Sequence, residues 1–353
     1  MAAAIDKGIT AEAEPNDEGI IRIVSEGFPT IEVELDRLWP DEKEVGTSAA
    51  LVRGMAGVLS ESIPHLQGFN AHFFSDLSPG LGLSSSAAFA VLVGYILSTF
   101  SQDEPMAPEE LARAAQKAEN RWYGKPCGLM DQMACALGSG MYMDVRENKI
   151  LSIPIDFDEL GLALCLTDTG DSHAAQTEAY GQIAADMSAV AQTFGEQFLA
   201  NVRASAFDEQ WPAHMDDPQW MRARHFFDET FRVSSMADAL GLRDGERYME
   251  LMNQSGRSSE ELLRNIQADG CGAALAQGLE TSALLLTGKG AWRVHGSGFG
   301  GCVQALMPES EFEDYRTAMD MLFGPGSCQR VRISARGVCQ AQEDRALFDA
   351  REG

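Results

Sequence analysis

Residues 70–97 open as Asn70-Ala71-His72-Phe73-Phe74, pass through Ser78-Pro79-Gly80-Leu81-Gly82-Leu83-Ser84-Ser85-Ser86-Ala87, and end in an apolar, alanine-rich run to Leu97. The first piece has the aromatic content and length of a strand. The second has the glycine, proline and serine of a turn, and the third is long enough for a buried helix. A loop therefore feeds a helix. Glycine lets the main chain approach an anion closely, a helix start leaves N–H groups unpaired, and three hydroxyls can meet phosphate oxygens or a magnesium ion. The stretch is neither a Walker A loop, which ends in Gly-Lys-Ser/Thr, nor the GxGxxG fingerprint. By itself it serves equally as a tight turn and helix cap.

Upstream, residues 21–25 and 31–36 alternate apolar and polar side chains around the turn-prone Gly27-Phe28-Pro29 and read as paired antiparallel strands. Residues 47–59 carry apolar groups at helical spacing. Downstream, Pro108 with Glu109 and Glu110 starts a helix that runs to Tyr123 and stops at Gly124-Lys125-Pro126. A second short helix is expected from near Cys127, with strands flanking Arg146-Glu147-Asn148-Lys149. Residues 162–168 read as a buried strand that opens a second domain, dividing the chain into 1–158 and 159–353. The second half holds a polar and aromatic insertion at about 200–244, read as a lid or packing layer. Helices over 258–267 and 273–287 follow, then a strand near Arg293, a strand over 302–306, a helix, and a strand over 329–334. That alternation resembles a βαββαβ layer.

Composition narrows the function. The 353 residues suit about two domains. Acidic groups outnumber basic ones 53 to 27, for a net charge of −26, so the mean surface field repels phosphate backbones and anionic lipid. Nucleic acid and membrane are thus unexpected partners, and an anionic substrate needs local N–H groups or a positive island. Seven cysteines, odd in number and never spaced CxxC, are expected as reduced, mostly buried thiols. The N-terminus lacks a basic region followed by an apolar one, and the longest apolar run, 87–97, is too short to cross a bilayer. A cytoplasmic location is expected, and nothing here sets an oligomeric state.

Three further stretches carry chemistry. In Pro126-Cys127-Gly128-Leu129-Met130-Asp131-Gln132, an aspartate follows a glycine-bearing turn and falls in the first turns of a helix, where it can accept a proton from a hydroxyl or simply favour the helix dipole. Glu119 lies near the end of the preceding helix, against the dipole preference. A metal ion would compensate it, and a solvated surface glutamate is the plainer account. Gly296-Ser297-Gly298-Phe299-Gly300-Gly301 has four glycines in six residues between strands, a density that favours close approach to a ligand over a simple hairpin. Asp168 to Tyr180 follows a strand end, where polar groups face clefts or cap helices. No HExxH pair and no GxSxG elbow with a readable triad occurs, so zinc and serine hydrolase chemistry lack support.

In this order the motifs resemble the GHMP small-molecule kinases, most closely the galactokinase branch. Gly80 to Ala87 is similar to the family's GxGLSSSA motif, Pro126 to Gln132 to PCGIMDQ, and Gly296 to Cys302 to GAGFGGC. The resemblance implies an α/β (α+β) fold with a GHMP N-terminal domain and a ferredoxin-like C-terminal domain. It also implies transfer of the γ-phosphoryl group of ATP to the anomeric hydroxyl of galactose. Carried over, Asp131 is the catalytic base, Ser86 and Glu119 hold Mg2+, and Gly80, Gly82, Leu83, Ser84, Ser85, Ser86 and Ala87 form the nucleotide loop. Gly128, Asp168, Tyr180, Gly296, Gly298 and Gly300 frame the sugar. The family's PGRxNxIGEHTDY-type segment, with an arginine and sugar-gripping polar groups, has no counterpart, and residues 1–8 resemble the strand just after it. The expectation is a chain that starts late, with impaired turnover. A nucleotide or sugar sensor of the same fold, and a GHMP kinase for another hexose, a pentose or mevalonate, are the alternatives.

Overall fold

The structure is a computed structural model that describes residues 1–77, 82–147, 149–170, 176–268 and 271–340. The first half contains β1 (Ala2–Ala3), β2 (Ile9–Asn16), β3 (Ile20–Ser25), β4 (Ile31–Glu34), α1 (Ser48–Leu59), β5 (Gly68–Ser75), α2 (Ser85–Ser101), α3 (Pro108–Ala118), α4 (Met130–Leu137), β6 (Gly140–Asp144) and β7 (Lys149–Ile153). Strands β2, β5, β3 and β4 form a mixed sheet in that order, with β3 and β5 parallel. Along β3 the buried Ile21 and Ile23 alternate with the less buried Arg22 and Val24, a period of two that commits one face of the sheet to the core.

The expected β3–β4 pair, α1 and β5 all form. Strand β2 was not anticipated, because Thr10, Glu12, Glu14 and Pro15 leave little apolar signal. Its place at the sheet edge, mostly exposed, is where proline and charge belong in a sheet.

Helix α1 sets the geometry that matters below. Every residue from Ala50 to Leu59 is buried, and two glycines let its neighbours come close. A Cβ at Gly54 would lie 2.9 Å from Ala118 Cβ, and one at Gly57 2.8 Å from the Trp122 ring. The end of α3 and the single π turn that continues it, Glu119–Tyr123, are thus pressed onto α1. The turn stops where sequence places it, at Gly124 with φ +79°. Helix α4 begins at Met130 rather than near Cys127. The intervening main chain is held instead by side chains of the preceding helix and turn: Cys127 N donates to Asn120 Oδ1 at 2.7 Å, and Gln116 Nε2 donates to Cys127 O at 3.2 Å.

The second half runs β8 (Leu162–Asp168), α5 (Gln176–Thr193), α6 (Ala204–Gln210), α7 (Pro218–Gly241), α8 (Gly245–Ser258), α9 (Ala273–Leu286), β9 (Ala291–Val294), β10 (Cys302–Pro308), α10 (Phe312–Phe323) and β11 (Cys328–Val331). Its sheet has the order β11-β8-β10-β9, every neighbour antiparallel. This is the βαββαβ arrangement expected, with β8 fully buried over Leu162 to Thr167. The expected helix over 258–267 is instead α8, extended by a π turn at Ser259–Leu263.

The 200–244 insertion is a packing layer. Phe207, fully buried, stacks on Trp220 at 5.4 Å and on Trp211 at 6.0 Å, and with Phe227 completes a small aromatic core against α5. The halves are joined by shared structure. β1 pairs with β6, Ile5 bridges to Ile333, and one apolar cluster mixes Met1, Leu83, Tyr142 and Ile153 with Leu162, Leu164 and Met236. All seven cysteines are free thiols, of which Cys165, Cys302 and Cys328 are buried and Cys339 is exposed. Among the described residues no helix is long and apolar enough to cross a membrane.

Candidate active site

The start of α2 is an unusual helix end. Ser84, its N-cap, has a left-handed backbone, φ 53° and ψ 42°, and its hydroxyl makes no capping bond. Its carbonyl accepts from Ala87 N and Ala88 N, which starts the helix. The first turn holds no acidic residue of its own, and Ser85 at its start is exposed. A turn-and-cap account of this serine run is therefore insufficient, since the serine at the cap position does not cap.

Two of the three serine hydroxyls reach carboxylates instead. Ser84 Oγ donates to Asp131 Oδ2 at 2.6 Å, and Ser86 Oγ donates to Glu119 Oε1 at 2.5 Å. Asp131 lies in the first turn of α4 and is half-buried, as its spacing from the glycine turn predicts. Glu119 departs from the plain account of a solvated surface residue, for it is 1% exposed. The groups that meet it are neutral: Ser86, the Gln132 amide, which donates to Oε2, and the Cys127 thiol, 3.6 Å from Oε2. Burial, then the Glu119 charge, pushes the Cys127 thiol up to about 11, so it stays a neutral S–H donor. Burial with Asp131 and Glu119 nearby holds Cys135 up to about 12.

The remaining candidates differ in their surroundings. Gly82 has φ +63°, Leu83 packs into the cluster shared by the two halves, and Ala87 is buried with its N–H spent on Ser84. Gly128 is exposed, and a Cβ there would meet nothing within 4 Å. Gly80 and the side chain of Tyr180 lie outside the described residues.

The glycine-rich loop joins β9 to β10. Gly296, Gly298 and Gly300 have φ +67°, +81° and +134°, and Phe299, at φ +58°, is buried. Thr169 fastens the loop to the end of β8, its N and Oγ1 both donating to Gly301 O. Asp168, opposite Cys302 in the sheet, accepts from Gly170 N at 2.9 Å and so closes its own turn. Hydrogen bonds thus join the serine loop to the Asp131 stretch. His295, between the end of β9 and the glycine loop, lies near enough to Asp131 for that charge to oppose slightly the lowering of its pKa by burial.

Sequence reasoning gave no role to three residues here. Gln132 sits inside a quoted motif but reads as an ordinary polar helix residue. His295 is one histidine among six. Asn265, 2% exposed, clamps the glycine loop, its O accepting from Phe299 N at 2.6 Å and its Nδ2 donating to Ser297 O at 3.1 Å. Nothing in the sequence around Asn265 signals that contact.

The sequence pattern of the family described as GHMP kinases N terminal domain matches residues 50–139, the span that carries Ser84, Ser86, Glu119 and Asp131. The galactokinase of Chloroflexus aggregans is 31% identical over 328 residues, 90% of this chain and 80% of that protein. The galactokinase of a Roseiflexus species is 29% identical over 362 residues, 99% of this chain and 88% of its own. Among solved structures, Lactococcus lactis galactokinase in complex with galactose superposes with a TM-score of 0.83 at 24% identity, covering 96% of this chain and 88% of that one. Methanococcus jannaschii mevalonate kinase gives 0.62 at 16% identity, over 94% and 90%. The family pattern, the similarity over 90% of the chain and the shared fold agree, and the chain belongs to the galactokinase family of GHMP kinases.

Proposed function

We propose that the chain transfers the γ-phosphoryl group of ATP to the anomeric hydroxyl of galactose, with residues 1–158 and 159–353 as two lobes about the nucleotide. The observation that carries this reading is the pair of contacts at one helix start: Ser84 to Asp131 and Ser86 to Glu119, at 2.6 and 2.5 Å. They set a base and a buried carboxylate on either side of an uncapped helix N-terminus. Phosphoryl transfer relies on positioning and charge stabilisation, and that terminus offers main-chain N–H groups to the triphosphate despite the net charge of −26. Gly80, Gly82 and Leu83 would shape the loop beneath the phosphates. Ser84 engages Asp131 Oδ2, which fixes the carboxylate plane and leaves Oδ1 to accept the sugar proton.

The donor set also fits Mg2+. Ser86 Oγ and Glu119 Oε1, paired here by a hydrogen bond, are hard oxygens that could both turn to the ion, and among the described residues the hydrogen-bond partners of the buried Glu119 carboxylate are neutral. When bound there, the ion supplies charge neutralisation at the β- and γ-phosphates. Gly128, Asp168, Tyr180 and the Gly296, Gly298, Gly300 loop are assigned to the sugar end.

The test is ADP release by the purified chain with MgATP and a panel of hexoses, pentoses and mevalonate. The expected result is galactose-dependent turnover that Asp131→Asn lowers by about a thousandfold while ATP still binds by calorimetry. Binding of ATP and galactose without turnover, even when the family's arginine-bearing segment is supplied ahead of residue 1, identifies a sensor. Turnover unaffected by Asp131→Asn refutes the assigned base.

A further inference from the structure

Helix α4 presents two consecutive residues to the two carboxylate contacts. Asp131 meets Ser84, and Gln132 meets Glu119. Gln132 is 1% exposed. Its Nε2 donates to Glu119 Oε2 and lies 3.4 Å from Cys127 Sγ, while its Oε1 is buried with no hydrogen-bond partner. Packing alone does not account for glutamine here: its Oε1 is left unpaired, while its Nε2 supplies a donor that the buried Glu119 Oε2 would otherwise have from the Cys127 thiol alone among the described residues. What the amide accomplishes is orientation. With Oε2 tied to Gln132 and Cys127, the Glu119 carboxylate cannot rotate, and Oε1 is directed at Ser86 Oγ.

We propose that Gln132 is a positioning residue for the divalent cation, acting through Glu119. This assignment rests on the reading of Ser86 and Glu119 as cation ligands. The donor polarises and aligns a ligand oxygen without touching the ion, the arrangement by which outer groups tune metal affinity. The neighbouring Cys127 thiol, its Sγ 3.6 Å from Oε2, is the second donor of the same set.

The test is Mn2+ titration of the protein–ADP complex followed by electron paramagnetic resonance, for the wild type, Gln132→Met and Gln132→Asn. The first variant keeps length without a donor, and the second keeps the amide but falls a methylene short. Both are expected to weaken Mn2+ binding about tenfold and to raise the magnesium concentration for half-maximal turnover by the same factor. At saturating magnesium, kcat and the KM for sugar should stay within about twofold of wild type. A folded variant with wild-type Mn2+ affinity overturns the proposal, as does a fall in thermal stability and kcat together with unmoved metal affinity. If both variants fail to fold, the wild-type chain decides: its Gln132 side-chain 15N–1H resonances should shift when Mg2+ is added to the ADP complex, and unchanged resonances overturn the proposal. A Mn2+ difference without sugar-dependent turnover removes the sugar-kinase reading and leaves this one standing. Turnover without a Mn2+ difference does the reverse.

Discussion

Ser84 holds a left-handed backbone that costs a residue with a Cβ about 1 kcal/mol or more, and its hydroxyl, released from capping, spans 47 residues of sequence to reach Asp131. Strain and function sit on one residue, and substitution separates them. Ser84→Ala keeps the strain and removes the bond, so kcat should fall about tenfold, the loss expected for an orienting bond to a charged group. Ser84→Gly removes both and should match that kcat loss while being about 1 kcal/mol more stable than Ser84→Ala. Steady-state kinetics and urea denaturation check the pair, and equal stability of the two variants would show that the backbone is not strained. The sequence made the serines legible as polar groups at a helix start. The motif resemblance paired Ser86 with Glu119 through a shared Mg2+, but their direct contact and the Ser84–Asp131 bond were not legible, because both depend on how helices distant in sequence pack, as where Gly54 and Gly57 let α1 draw in the end of α3 beside Glu119.

At the scale of elements, the β9–β10 connection shows how far pattern reading extends. Four glycines in six residues were read as close approach to a ligand, and the left-handed angles favour glycine there. What approaches is a main chain, since a Cβ on Gly298 would stand 2.0 Å from Asn265 O. Asn265 owes its place to the π turn at Ser259–Leu263 and the left-handed Arg264 after it, a geometry no periodicity encodes. Gly296 has a similar φ but open space around it, so the two glycines make an internal comparison. Gly296→Ala should cost about 1 kcal/mol and Gly298→Ala about 3 kcal/mol, because only the second displaces main chain. Urea unfolding checks this, and equal costs would mean the clamp yields freely. Strand β2 was unread for a different reason: an exposed edge strand needs little apolar alternation, so its signal is weak where its fold contribution is real.

Across the whole molecule, an acidic exterior with charge −26 surrounds an interior that keeps two histidines neutral. Burial pulls His225 below its ordinary 6.5, against a smaller upward pull from Glu229. Burial likewise pulls down His295, against its bond to Gln304 and the Asp131 charge. The unfolded chain therefore takes up protons near pH 6.5 that the folded chain refuses until lower pH, and stability falls as pH drops through that window. Above 6.5 both states hold neutral rings and the effect vanishes. With two such groups the slope is at most about 2.7 kcal/mol per pH unit. Glu229, whose burial raises its carboxyl but is outweighed by Arg293, Ser255 and Arg232 so that it lies below its ordinary 4.5, adds loss in the same direction at still lower pH. Relief of carboxylate repulsion on the surface works the opposite way but needs carboxylates to protonate, which begins well below 5.5. Urea midpoints at pH 7.5, 6.5 and 5.5 isolate the histidine term. The wild type should lose stability mainly between 6.5 and 5.5, and His225→Gln with His295→Gln should flatten that step. A wild-type profile that is level or rising over the same interval would mean the rings are already protonated in the folded chain, and that the charges of Glu229 near His225 and Asp131 near His295 outweigh their burial.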